Sequence, residues 1–459
     1  MLFYSLEFAV FYLAVFLAYR LIPAAGKKPL LLIASLWFYA AWDWRFLGLI
    51  LLSSGTDFLC GRFIHGESRP GAKKAWLILS LAMNLGILGF FKYFNFFLES
   101  FHAVFPHVPE PGLKIILPVG ISFFTFQSLS YTIDIYRGQV KPVPAPDFFL
   151  FVAFFPQLLS GPIVRASEFL PQLQALPRFR WDDVWEGALL FARGFCKKVL
   201  LANLLAHFAD PRFARPEAYG ALECLLAVYA FAFQIYWDFS GYTDMARGSA
   251  LALGFRFPEN FNLPYLSASP REFWRRWHMT LSTWLRDYLY KSLGGDRHGR
   301  LATLRNLFLT MALGGLWHGA NWTFVIWGCY HGTLLVIQRL LPGQERQGNV
   351  PDTWRPLRIF FTFHLVCLGW VFFRAESLDM ALRFLRRMAS GPWDWHPALA
   401  LTAGGLLVCA GWQIVSEANR ARNASGLIWQ GARLAVTAAG VALAFVYSTD
   451  SAPFLYFQF

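Results

Sequence analysis

The stretch GGLWHGANWTFVIWGCYHG, Gly314 to Gly332, decides how this chain is read. It is apolar enough to lie in a bilayer, yet it carries two histidines, His318 and His331. An ionisable imidazole at membrane depth is expensive and calls for a partner or a function. Gly314, Gly315 and Gly319 flank His318 and Asn321 follows, so the backbone is expected to leave regular helix there. Non-helical backbone at that depth is tolerated only when buried in protein or lining a cavity. His318 therefore reads as a reachable, partly desolvated imidazole, kept neutral and able to take a proton. His331, deeper in an uninterrupted helix, reads as structural.

The whole chain shares that apolar character. Of 459 residues 56% are hydrophobic and only 15% charged, with 48 Phe and 19 Trp, well outside the composition of a soluble protein. Many of the apolar runs are roughly 17 to 25 residues, enough to cross a bilayer as helix. They do not alternate as barrel strands do. The fold class is thus an all-α polytopic membrane protein, with further runs at about 30 to 41, 46 to 61, 76 to 98, 115 to 135, 147 to 160, 184 to 206, 220 to 240, 306 to 317, 321 to 341, 357 to 373, 397 to 415 and 430 to 447. No internal repeat divides it, and residues 1–459 read as one domain. The first run, Leu2 to Ile22, lacks the basic start and the small-residue site of a cleavable signal, so it reads as a spanning helix with the N-terminus outside.

The net charge of +13 fits basic residues gathered in cytoplasmic loops against anionic lipid, and nucleic acid is not expected as a partner. Arg62 to Lys74 is basic and faces the cytoplasm; Glu99 to Gly112 has no Lys or Arg and faces away. Six scattered cysteines without a CxxC read as small buried hydrophobes. His318 and His331 stand 13 positions apart, about 220° around a helix and ~20 Å along it, so they share no metal, and none is expected.

The basic stretch 254 to 305 holds SPREFWRRWHMTLSTWLRDYLY, Ser269 to Tyr290. Ser269 is the expected N-cap with Pro270 at the first helical position. Aromatic and aliphatic residues recur at helical spacing with arginines between them, predicting an amphipathic helix lying on, or dipping into, the cytoplasmic face. Arg275 and Arg276 suit the phosphates of an acyl carrier such as coenzyme A; ordinary positive-inside charge accounts for them equally. In YWDFSGYTDMARG, Tyr236 to Gly248, Asp238 and Asp244 lie on either side of Gly241 at the end of an apolar run, and Arg247 is placed to pair with Asp244. They read as a polar wall for substrate or as an ion-paired network at a helix break. Ser122, Thr125, Gln127, Ser128, Ser130 and Asp134 thread the run around 115 to 135, where hydroxyl residues most often join helices.

These stretches, with PVGISFFTFQSLSYTIDIYRG (118 to 138), FPQLLSGPIVR (155 to 165) and GFCKKVLLAN (194 to 203), resemble the membrane-bound O-acyltransferase family, and within it the bacterial branch that O-acetylates polysaccharides. The resemblance runs from near the N-terminus to about Arg374. It implies about eleven transmembrane helices with re-entrant and interfacial pieces around a funnel or tunnel. It implies that His318 is the essential histidine and His278 a second functional one. Trp317 and Asn321, which flank His318 in the sequence, are further substrate-binding candidates. It also implies an acetyl group taken from a cytoplasmic donor, acetyl-CoA, with no bound cofactor, and passed across the inner membrane to an exopolysaccharide such as alginate, or to peptidoglycan or cellulose. Transfer would be direct or through an SGNH-type partner, with both chain termini in the periplasm. A polytopic exporter without chemistry is the alternative from another class.

Overall fold

The structure is a computed structural model describing residues 1–108, 115–341, 353–421, 438 and 440–443. The run expected at 430 to 447 and the end of the loop expected at 99 to 112 lie largely outside the described residues. Among the described residues there are helices and no strands. Four helical stretches among the described residues are long and apolar enough to cross a membrane: Ala24–Gly66, Pro70–Val104, Ala221–Ala252 and Arg355–Arg374. The protein is a multi-pass membrane protein. The expected count of eleven spans goes beyond these four.

The chain divides into two compact units, one of residues Met1–Phe191 and Tyr242–Pro258, the other of Ala192–Gly241 and Glu259–Phe459. In the first, the expected opening run forms Leu6–Leu21, started by Ser5, whose hydroxyl accepts from the N–H of Phe8 at 3.3 Å. Three helices, Leu47–Gly66, Pro70–Leu88 and Ile121–Tyr136, are joined by a fully buried polar knot. The Asp57 carboxylate accepts from Ser80 Oγ at 2.5 Å, from Asn84 Nδ2 at 2.9 Å and from Ser128 Oγ, while Ser53 donates to Asn84 Oδ1 at 2.7 Å. Ser128 thus does what a hydroxyl in a membrane helix was expected to do, tying its helix to a neighbour.

The Ala221–Ala252 helix corrects one expectation. The apolar run was expected to end near 240, with Asp238 and Asp244 at a break around Gly241; instead the helix runs on through Gly241 and Gly248. Those glycines are packing positions. A Cβ on Gly241 would lie 2.7 Å from the Gly194 carbonyl, and one on Gly248 would lie 2.7 Å from the amide nitrogen of Phe191. Asp244 belongs to the first unit and meets Arg247 at 3.8 Å, the expected pair one turn on.

In the second unit, Gly299–His318 and Trp322–Leu340 are consecutive helices joined by three residues. Gly315 and Gly328 let them touch backbone to backbone: a Cβ on Gly315 would lie 2.8 Å from the Gly328 Cα. Gly314 and Gly315 were expected to loosen the helix. Both remain in it, and it is Gly315 that permits close approach to the neighbouring helix.

Candidate active site

His318 is the last residue of its helix; Gly319 then turns extended, at φ −157°. The break expected beside this histidine is therefore real and falls directly after it. Asn321 caps the next helix by accepting from the N–H of Thr323 at 3.0 Å, and its amide donates to the Glu376 carbonyl at 2.9 Å. The Asn321 end of the turn is thus anchored, and His318 at its other end is 4% exposed.

The basic stretch behaves differently from a single surface helix. Ser269 does cap it, accepting from the N–H of Glu272 at 3.2 Å with Pro270 at the first position, and Glu272 reaches back to the N–H of Ala268 at 2.9 Å. The helix ends at Arg276, and a second begins at Met279. Between them His278 takes a left-handed conformation, φ +41°, which is uncommon for a residue with a side chain. Asn260 imposes it. Its backbone carbonyl accepts from the N–H of Met279 at 2.9 Å, and its side-chain oxygen accepts from the N–H of Thr280 at 3.2 Å and the Thr280 hydroxyl at 3.0 Å. Apolar periodicity continues through this point, so the sequence alone suggests one helix where a clamp from a distant loop makes two.

The clamped segment runs alongside Trp322–Leu340. The N–H of Arg271 donates to Gln338 at 2.9 Å, Trp274 meets His331 and Trp327 at centroid separations of 5.2 and 5.7 Å, and His278 meets Trp317 and His318 at 6.2 Å each. From Gln338 to Trp327 is eleven residues, about 16 Å along a helix. The segment therefore dips to the depth of His318. His278 is fully buried. Phe239 packs against it at 4.7 Å and 75°.

The candidates separate clearly. His318, His278 and Trp317 come together, with Asn321 holding the turn. Asp238, 2% exposed, is ion-paired with Lys198, equally buried, one residue before the phenylalanine that supports His278. Arg276 bonds Glu272 at 3.1 Å and the Asn262 carbonyl at 3.3 Å, while Arg275 is exposed. Asn260, Phe239 and Trp327 escaped the sequence reading. Only Asn260 left a trace, in the turn-forming PENFNLPY around it.

Residues 73–373 match the model of the MBOAT, membrane-bound O-acyltransferase family. This chain belongs to that family. As an acyltransferase it is 47% identical over 400 residues to the probable alginate O-acetylase AlgI of Azotobacter vinelandii, covering 86% of this chain and 79% of that one. It is 46% identical to the protein of the same name from Pseudomonas aeruginosa, over 86% and 76% of the two chains. The peptidoglycan O-acetyltransferase of Helicobacter pylori is 39% identical, over 81% and 76%. The exporter alternative falls, because the family and these relatives are acyltransferases. Two juxtaposed imidazoles can hold a proton between an attacking hydroxyl and a departing group.

Proposed function

We propose that this membrane-bound O-acetyltransferase moves acetyl from acetyl-CoA on the cytoplasmic side to an exopolysaccharide, alginate before others, outside the bacterial inner membrane. The observation carrying the mechanism is the meeting of His278 and His318 at 6.2 Å beside a helix end. His318 takes the proton from an acceptor hydroxyl as its oxygen attacks the thioester carbonyl. Collapse of the tetrahedral intermediate expels the thiolate, which regains a proton from His318 with His278 positioning the donor. Such proton transfer contributes ~10² to 10⁴-fold. The aromatic packing around both rings keeps water from the thioester. The acceptor hydroxyl belongs to a uronate sugar or to the serine of an SGNH-type partner. The basic stretch from Arg62 to Lys74 favours a periplasmic N-terminus. Alginate rests on the two relatives at 46 and 47% identity; the peptidoglycan relative at 39% supports peptidoglycan as the second acceptor.

The test is mass spectrometry of polymer acetyl content in cells carrying His318→Gln, with membrane abundance measured alongside. Acetylation is expected to vanish while the protein persists. Retained acetylation would remove His318 from the chemistry.

A further inference from the structure

Aromatic rings pack around the His318 imidazole. Trp327 stands at 5.0 Å and 90°, Trp317 at 5.1 Å and 79°, and Phe373 at 5.5 Å and 71°. All three centroids fall within the ~6 Å over which a cation is attracted to an aromatic face. At 71 to 90° these contacts are steeply inclined, the arrangement in which an aromatic face can meet the imidazole rim, where the N–H and C–H groups carry positive charge once the ring is protonated.

Trp327 is the most firmly held of the three. It is 1% exposed, stacks on Trp370 at 5.8 Å and 21°, meets Trp274 at 5.7 Å and 73°, and is backed one helical turn on by His331 at 5.0 Å. His331 in turn lies parallel to Phe273 at 10°, and Gly369 makes room for its Nε2, which a Cβ there would approach to 2.8 Å. A ring so wedged needs no rearrangement when charge appears beside it, which is the condition for electrostatic preorganisation.

We propose that Trp327, Trp317 and Phe373 form a box that stabilises the imidazolium His318 becomes on taking the acceptor's proton, with Trp327 its principal, positioning member. The inference rests on His318 being the base. The titratable group facing His318 from the clamped turn is His278, at 6.2 Å. On Arg355–Arg374 the ring in contact is Phe373, and Arg374 beyond it is bonded to Asp210 at 3.0 Å. On Trp322–Leu340 the titratable ring, His331, lies behind Trp327.

Fluorinating an indole weakens its attraction for cations while nearly preserving its shape. Mono-, di- and trifluorotryptophan are placed at position 327 of the full-length protein in nanodiscs, and the titration of His318 is followed by NMR of labelled histidines, with His318→Gln assigning the signal. Acetyl incorporation into polymer by membranes supplied with acetyl-CoA is measured in parallel. The titration midpoint is expected to fall stepwise, by roughly 0.5 to 1 pH unit over the series, and the maximal rate to fall about 5-fold with little change in KM. A midpoint indifferent to fluorine overturns the box, whatever the rate does. A falling midpoint with full acetylation by His318→Gln overturns instead the reading of His318 as base, and with it the catalytic purpose of the box.

Discussion

The side-chain oxygen of Asn260 accepts two hydrogen bonds from Thr280, one from its N–H at 3.2 Å and one from its hydroxyl at 3.0 Å. This pairing, with the Asn260 backbone carbonyl on Met279, holds His278 in its left-handed turn beside His318. Asn260→Ala removes both side-chain bonds and keeps the backbone one. The turn should survive but sit less tightly, and a misplacement of ~1 Å at a reacting centre is enough to lower a rate ~100-fold. Polymer acetyl content is expected to fall to a few per cent of normal with membrane abundance within about 2-fold. Normal acetylation would show that His278 keeps its place without the clamp.

Gly314 and Gly315 are neighbours with opposite demands. A Cβ on Gly315 would press into the backbone of the next helix, at 2.8 Å from the Gly328 Cα, whereas one on Gly314 would meet only the movable tip of Leu285 at 3.1 Å. Gly315→Ala should therefore destabilise by ~1 to 3 kcal/mol, as overpacking does, and Gly314→Ala by under about 0.5 kcal/mol. Thermal unfolding of the two variants in detergent checks this. Equal melting temperatures would mean that the two helices are not in backbone contact.

How much of this was legible beforehand depends on where each constraint originates. The Ser269 and Pro270 start is encoded within four residues and could be read directly. So could the Asp244 and Arg247 pair, which needs only helical spacing. The split at His278 could not, because it is imposed by Asn260, a residue 18 positions earlier, on a segment whose apolar rhythm never falters. The glycines around His318 and at Gly241 were visible but ambiguous: the same residue type loosens a helix or lets another approach, and only the neighbour decides. Trp327 was invisible as a support for His318 because tryptophan is so common in this chain.

Asp57 sits inside an apolar run and is fully buried, with Ser80, Asn84 and Ser128 all donating to it. Asp57→Leu leaves three donors without their acceptor, each at about 1 to 3 kcal/mol. Asp57→Asn keeps a carbonyl for part of the set. Membrane abundance is expected in the order wild type, Asp57→Asn, Asp57→Leu, with the last near background. Were Asp57→Leu as abundant as wild type, the knot would not be holding the three helices together.

Lys198 and Asp238 are each 2% exposed and spend their charges on one another. Removing one partner strands the other: Lys198→Met is expected to lose ~3 to 5 kcal/mol of stability, while replacing both by apolar residues of similar size is often neutral. The double variant Lys198→Met with Asp238→Leu should thus regain the abundance that Lys198→Met loses. Because the carboxylate is already committed to Lys198, acetylation is expected to return with abundance. A double variant that is abundant and melts normally but acetylates nothing would place Asp238 in contact with substrate, next to the Phe239 ring that packs on His278 at 4.7 Å.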